Sequence, residues 1–206
     1  MDDDTLREKI VLGMAAEAPF DGWSRRALVR AAAKLDVTEA ELGSLFPGGV
    51  RDAAAIFAGW ADRETAKRLK RKKAPAKLRE RIALGVMTRL GVLEPHREGL
   101  RRLLAFLALP LNLPLAARLL YRTVDALWFE AGDRSTDFSF YTKRGLLAGI
   151  YAGTTLCWLD DKTAGFARTR DFLDRRISEV MQIPRLKARA SEMAKPFVPP
   201  RFRRAS

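Results

Sequence analysis

The chain has 206 residues, 48% of them hydrophobic and 31% charged, with a formal net charge of +13. That length fits one domain, or one domain with a small appended lobe, and the apolar share is enough for a real core. A single Cys and a single His exclude an intramolecular disulfide and the usual zinc and transition-metal sites.

Strand signals are weak, and periodic segments rich in Ala, Leu and Arg point to an all-α fold. Residues 4–17 (DTLREKIVLGMAAE) form a first helix with Leu6, Ile10 and Met14 on one stripe, broken by PFDGW. Ser24 caps a second helix (SRRALVRAAAKLD) and Thr38 a short third (TEAELGSLF), which Pro47-Gly48-Gly49 ends. A fourth helix starts near Val50 and continues to Pro75. Three short helices and a longer one match a helix-turn-helix head and its connecting helix, with the third as the major-groove reader. Here the third helix carries Glu39 and Glu41 and no Arg or Lys, a surface that phosphates repel. The head has the shape of a DNA binder without its chemistry; three helices packed for stability alone is the favoured reading.

Helices follow at KLRERIALGVMTRLGV (77–92) and REGLRRLLAFLAL (97–109), then the corner PLNLP, then LAARLLYRTVDALWFEA with Pro114 in its first turn. After AGDRS, Ser135 caps a helix to about Leu159, with Asp137 in its first turn where the helix dipole favours an anion. Residues 160–165 form a turn, and TRDFLDRRISEVM makes the last helix, with Phe166, Phe172, Leu173, Ile177 and Val180 facing inward. Three units result: a head at 1–49, a helical bundle at 50–183, and a basic tail at 184–206 broken by prolines.

The charge is uneven. Residues 1–66 sum to −4, 67–102 to +10, 103–184 to +1 and 185–206 to +6. Basic blocks of this kind suit polyanions, either nucleic acid or an anionic membrane surface, and the first block also fits a plain solvated surface. The acidic start MDDDTLREKIV matches neither a secretory signal nor a transit peptide. It points to a bacterial cytoplasmic protein, or to a mature chain whose presequence has been removed.

Catalytic motifs are missing. There is no phosphate-binding glycine loop and no GxSxG. His96, beside Pro95, reads as a surface or helix-start residue, Cys157 in TTLCWL as a buried thiol, and Asp160-Asp161 as a solvated turn. No catalysis and no cofactor are expected. The chain instead offers apolar surface. LLAFLALPLNLPLAARLL (103–120) is interrupted by two prolines, Asn112 and Arg118, and is too broken for a membrane span of about 20 residues. It forms either two buried helices meeting at a Pro-Asn-Pro corner or two walls of an apolar pocket containing Leu107 and Leu120. Gly145, Gly149 and Gly153, spaced by four, line one helix face and allow close approach of a helix, a second copy of the chain, or a ligand chain.

GW at 22–23, PLNLP at 110–114, VDALWFEAGDRSTDFSFYTKRGLLAGIY at 124–151 and RDFLDRRISEVM at 170–181 together resemble the lipid-binding accessory proteins of ubiquinone (coenzyme Q) biosynthesis. The resemblance covers about residues 5–181. It implies a TetR-like all-α fold that no longer binds DNA and a pocket for isoprenoid quinone intermediates or phospholipid; a homodimer is expected separately, through close helix packing. It also implies attachment to a membrane surface: the inner membrane from the bacterial cytoplasm, or from the mitochondrial matrix. The lipid would be presented to a di-iron hydroxylase through a patch of Asp125, Asp137, Phe140 and Tyr141. Arg144 would hold a lipid headgroup beside Gly145 and Gly149, since a guanidinium fork suits a phosphate. This chain has Ser139-Phe140 where Asn-Trp is frequent, so the partner contact differs in detail. Its tail is short and proline-broken, unlike a long amphipathic membrane helix. The competing readings are a TetR-type transcription regulator and a ligand-free scaffold.

Overall fold

A computed structural model describes the backbone of residues 2–132 and 139–193, and the side chains of 2–132 and 144–180. Within these residues the chain is all-α, as its periodicity predicts. The helices are α1 (Asp3–Asp21), α2 (Arg25–Ala33), α3 (Glu39–Leu45), α4 (Val50–Lys70), α5 (Leu78–Leu93), α6 (Arg97–Leu107), α7 (Leu113–Glu130), α8 (Ser139–Leu159) and α9 (Ala167–Met193).

The predicted caps on α2 and α3 are present. Ser24 Oγ accepts from the Ala27 amide, and Thr38 and Glu41 form a reciprocal capping box. Hydrogen bonds from the Thr38 backbone and hydroxyl hold the Glu41 carboxyl below its ordinary value. Both contacts are local, so neighbouring residues alone dictate them.

Two prolines behave otherwise than expected. α1 passes through Pro19 to Asp21, and α9 passes through position 184 to Met193. A proline inside a helix removes one hydrogen bond and strains one turn, and a helix held on both sides survives it with a bend. At Pro19 the missing amide leaves the Ala15 carbonyl without its helical donor. The α6 backbone approaches that carbonyl so closely that a Cβ on Gly99 would overlap its oxygen. Trp23 completes the joint, its indole Nε1 donating to the Gly99 carbonyl at 2.8 Å.

The core is continuous from head to bundle, from Ile10, Met14 and Trp23 through Phe57, Leu90 and Leu93 to Trp158 and Leu173. His96 is half-buried at the N-terminal end of α6, the helix-start position expected, and packs against this core. Its ring meets Phe57 and Trp60 edge-on at 5.8 and 5.4 Å, and burial pushes its pKa down. Cys157 is half-buried. The predicted solvated turn splits: Asp160 is exposed and paired with Arg101 at 2.9 Å, but Asp161 is fully buried. Asp161 accepts from the amides and hydroxyls of Thr163 and Thr169 at 2.6 to 2.9 Å. Two arginines of α6 close the same end of α8. Arg97 donates to the carbonyls of Trp158 and Asp161, and Arg101 to that of Leu159. Cations there satisfy carbonyls that a helix end leaves open.

Candidate functional site

The PLNLP corner is a built feature. The segments on its two sides, Leu78–Leu107 and Pro110–Glu130, meet at 99°. Asn112 is buried at the bend, its amide donating to the Phe106 carbonyl at 2.9 Å and its oxygen accepting from Arg51 Nε at 3.0 Å. Arg51 also donates to the Leu111 carbonyl at 2.9 Å. The corner is thereby stapled to α4, and it holds three leucines in solvent: Leu109 (53% exposed), Leu111 (82%) and Leu113 (53%).

Behind this lip, α6, α7 and α8 enclose a cavity of about 310 Å³. Its walls include Leu100, Leu103 and Leu107 from α6, Leu119 and Leu120 from α7, and Leu156 from α8. Leu107 and Leu120 both line this cavity, and the helices on the two sides of the corner are also packed into the core through Leu103, Leu107 and Leu119. Exposed Ala108, Leu113 and Leu156 mark the rim, while buried Arg89, Thr123 and Tyr151 mark the inner end. A largely apolar cavity with few polar groups is the usual form of a small-molecule site.

The inner end holds side chains that sequence reasoning missed. Arg89 donates from Nε to Asp62 at 2.9 Å, from one terminal nitrogen to Tyr151 Oη at 2.5 Å, and from the other to Thr123 Oγ1 at 3.1 Å. Thr123 in turn donates to Asp62 at 3.1 Å. Burial acts to lower the Arg89 pKa, and the Tyr151 oxygen and Asp62 carboxylate outweigh it, so the net shift is upward. Arg89 is permanently cationic and locked. A signal existed in the sequence: Arg89 falls on the apolar face of its helix, between Val86 and Val92-Leu93, where an unpaired charge is not tolerated.

The remaining predicted residues lie elsewhere. Asp125 and Arg144, assigned to different roles, form one ion pair, with Asp125 Oδ1 at 2.7 and 2.6 Å from two guanidinium nitrogens. Arg144 is buried and its partner half-exposed. It stands seven residues before Tyr151 on α8, about 10 Å along the axis, and is not part of the cavity lining. Gly145 and Gly149 lie on the exposed face of α8 and, among the described residues, have no neighbour within 4 Å of a built Cβ, whereas Gly153 meets Phe172 at 3.4 Å. Asp137 falls outside the described residues. Phe140 and Tyr141 lie in α8, with side chains outside the described ones. Among the described residues no group of three or more His, Cys, Asp or Glu could hold a metal ion, and no single helix is long and apolar enough to cross a membrane.

Comparison with known proteins agrees with this architecture. The COQ9 family model matches residues 113–184, the segment from the lip through the inner end of the cavity into α9. Ubiquinone biosynthesis protein COQ9-B, mitochondrial, of Xenopus laevis is 32% identical over 187 residues, covering 87% of this chain and 64% of that protein. The Homo sapiens protein of the same description is 30% identical over 189 residues, covering 88% of this chain and 59% of its own. The chain therefore spans less than two thirds of the length of these relatives. Among solved structures, a TetR transcriptional regulator from Nitrosomonas europaea superimposes with a TM-score of 0.65 at 22% identity, over 85% of this chain and 97% of that one. That likeness is one of fold. The chain belongs to the COQ9-like family and carries its TetR-type fold.

Proposed function

We infer that the chain serves ubiquinone biosynthesis as a non-catalytic lipid-binding protein. It takes an isoprenoid intermediate from a membrane surface into the α6–α8 cavity and presents it to a di-iron hydroxylase. The observation that carries this reading is the cavity itself, with leucine walls, one polar end, and an exposed lip of Leu109, Leu111 and Leu113. Apolar side chains held in water beside a cavity mouth mark an interaction or membrane-facing surface. The relatives are named for ubiquinone biosynthesis and for mitochondria, which supports the pathway and the mitochondrial setting; attachment to the inner membrane is part of the proposal. On this reading Asp125, Asp137, Phe140 and Tyr141 form the docking patch for the hydroxylase, and Arg144 orders the patch through Asp125. A homodimer is part of the same reading.

The test is organic extraction of the protein purified from its native host, with mass spectrometry of the extract. An isoprenoid quinone or late intermediate, enriched over a basic control protein, is the expected result. Bulk phospholipid alone, or no lipid, would sink the reading. A second measurement uses Leu120→Trp, which fills the cavity from its half-buried wall. It should reduce co-purified isoprenoid at least about 5-fold while shifting stability by less than about 1.5 kcal/mol. Unchanged lipid content in the folded variant would place the lipid elsewhere.

A further inference from the structure

The turn between α4 and α5 concentrates positive charge that the fold does not neutralise. Residues 67–81 hold nine Lys or Arg residues against Glu80 alone. Lys67 and Lys77 are paired, with Glu64 at 2.7 Å and Glu80 at 3.6 Å. Arg68 donates to the Gly91 carbonyl at 3.0 Å and Lys72 to Thr88 Oγ1 at 3.1 Å, so both keep their charge. Lys70, Arg71 and Lys73 are exposed, and none of them is in an ion pair among the described residues.

A groove of about 250 Å³ opens beside this turn. Its lining includes Leu69 and Lys70 from α4, Arg81 and Leu84 from α5, and Leu127 from α7. The Arg81 guanidinium lies against the end of α7, where Gly132 (φ 84°) passes so closely that a Cβ would stand 3.1 Å from a terminal nitrogen. Arg81 Nε is buried and, among the described residues, has no hydrogen-bond partner. An unmatched cation at a groove favours an oxyanion brought by a partner. Glu130 is the one carboxylate on the lining.

Three anionic partners can be weighed against this end. Nucleic acid and a layer of lipid headgroups both present dense phosphates. Glu64, Glu80 and Glu130 stand among the cations and repel such a surface, and phosphates make no use of a leucine floor. A protein surface sets single carboxylates between apolar side chains, which matches an apolar floor with a cationic rim. The groove also adjoins the docking patch, since Glu130 follows Asp125 by five residues on α7, about 8 Å along the axis. On the reading of Asp125 and its neighbours as the hydroxylase dock, we propose that the dock extends onto the α4–α5 turn and takes an acidic segment of that partner. Its carboxylates face Lys70, Arg71, Lys73 and Arg81, and one apolar side chain sits over Leu84 and Leu127. Lys70, Arg71 and Lys73 steer the encounter, and the groove fixes its register.

The experiment follows association of the full chain with the di-iron hydroxylase of the same host by stopped-flow fluorescence, at about 50 and about 300 mM salt. One variant combines Lys70→Glu, Arg71→Glu and Lys73→Glu. A control of equal net charge combines Lys9→Glu, Arg26→Glu and Lys162→Glu, three exposed cations elsewhere. Wild type is expected to associate at least about 10-fold more slowly at the higher salt. The α4–α5 variant should associate about 10-fold more slowly than wild type at low salt and respond little to salt, and the control should stay within about 3-fold of wild type. Thermal melting checks that each variant is folded. Equal slowing in both variants, or none in the α4–α5 variant, would overturn the inference while leaving a dock at Asp125. If the α4–α5 variant binds the hydroxylase like wild type but loses retention on phosphatidylglycerol vesicles or on duplex DNA, the surface serves that polyanion and the inference is overturned. If wild type does not bind the hydroxylase at either salt, the docking reading falls together with its extension.

Discussion

Replacing Gly99 by alanine is expected to cost about 3 kcal/mol, at the upper end of overpacking penalties, and to lower the thermal midpoint by about 6–12 °C for a chain of this size. A methyl group here has nowhere to go. It would overlap the Ala15 carbonyl oxygen and stand 3.1 Å from the carbonyl carbon. Both are backbone atoms, so no rotamer change relieves the clash and α1 must move away from α6. Moving it strains the hydrogen bond from Trp23 to the Gly99 carbonyl and the edge contact of Trp23 with Phe57 at 5.5 Å. Gly91→Ala is the matched control. It sits in α5, exposed, with no neighbour within 4 Å of the added Cβ, and should stabilise by about 0.5–1 kcal/mol. If both variants melt alike, the close approach of α1 and α6 does not hold in solution. The effect reaches the proposed site as well, since Leu100 and Leu103, on the same helix, wall the cavity.

The joint at Gly99 also shows which features a single sequence displays and which it hides. Ser24 and Thr38 were legible as caps because each acts on an amide three residues away. The apolar character of 103–120 was legible, and with it Leu107 and Leu120. The fate of Pro19 was not, because whether a proline ends a helix depends on what packs around it. The glycines spaced by four marked a face of α8 without saying which way it points; the inward side is set by Leu147, Tyr151 and Trp158. The polar end of the cavity was least accessible. Its members at 62, 89, 123 and 151 come from four helices and meet only in the fold. Arg89 on an apolar stripe announced that a partner must exist and could not name it. Asp125 and Arg144 were singled out separately for the same reason: 19 residues apart, on either side of the 131–138 stretch, they show as one ion pair only when the helices are docked.

The second large effect concerns Asp161. Substitution by asparagine is expected to destabilise the protein by about 3 kcal/mol near neutral pH, because a buried carboxylate that accepts four hydrogen bonds becomes a group that accepts fewer and carries donors of its own. Two of those bonds come from the Thr163 and Thr169 amides and two from their hydroxyls. The amide of asparagine would point an N–H₂ at Thr163 or at Thr169, leaving one buried pair of donors facing another. The penalty carries a pH signature. Burial acts to raise the Asp161 pKa, and the bonds from Thr163 and Thr169 outweigh it, holding the group well below the ordinary carboxylate range. The unfolded chain, with an Asp pKa of about 3.9, therefore binds this proton before the folded one does. The stabilisation is fully present above that value and is lost as pH falls below it toward the folded pKa. The gap between wild type and Asp161→Asn, read as urea midpoints, should be widest at pH 6–7 and should narrow below about pH 4. A gap that stays constant from pH 7 to pH 3 would mean that the carboxylate charge does not carry the stabilisation. Arg97, bonded to the Asp161 carbonyl and lying over Trp158 at 5.0 Å, transmits the same loosening to α6. Because α6 and α8 are opposing walls of the cavity, acid and Asp161→Asn should both weaken retention of a bound lipid before the bundle unfolds.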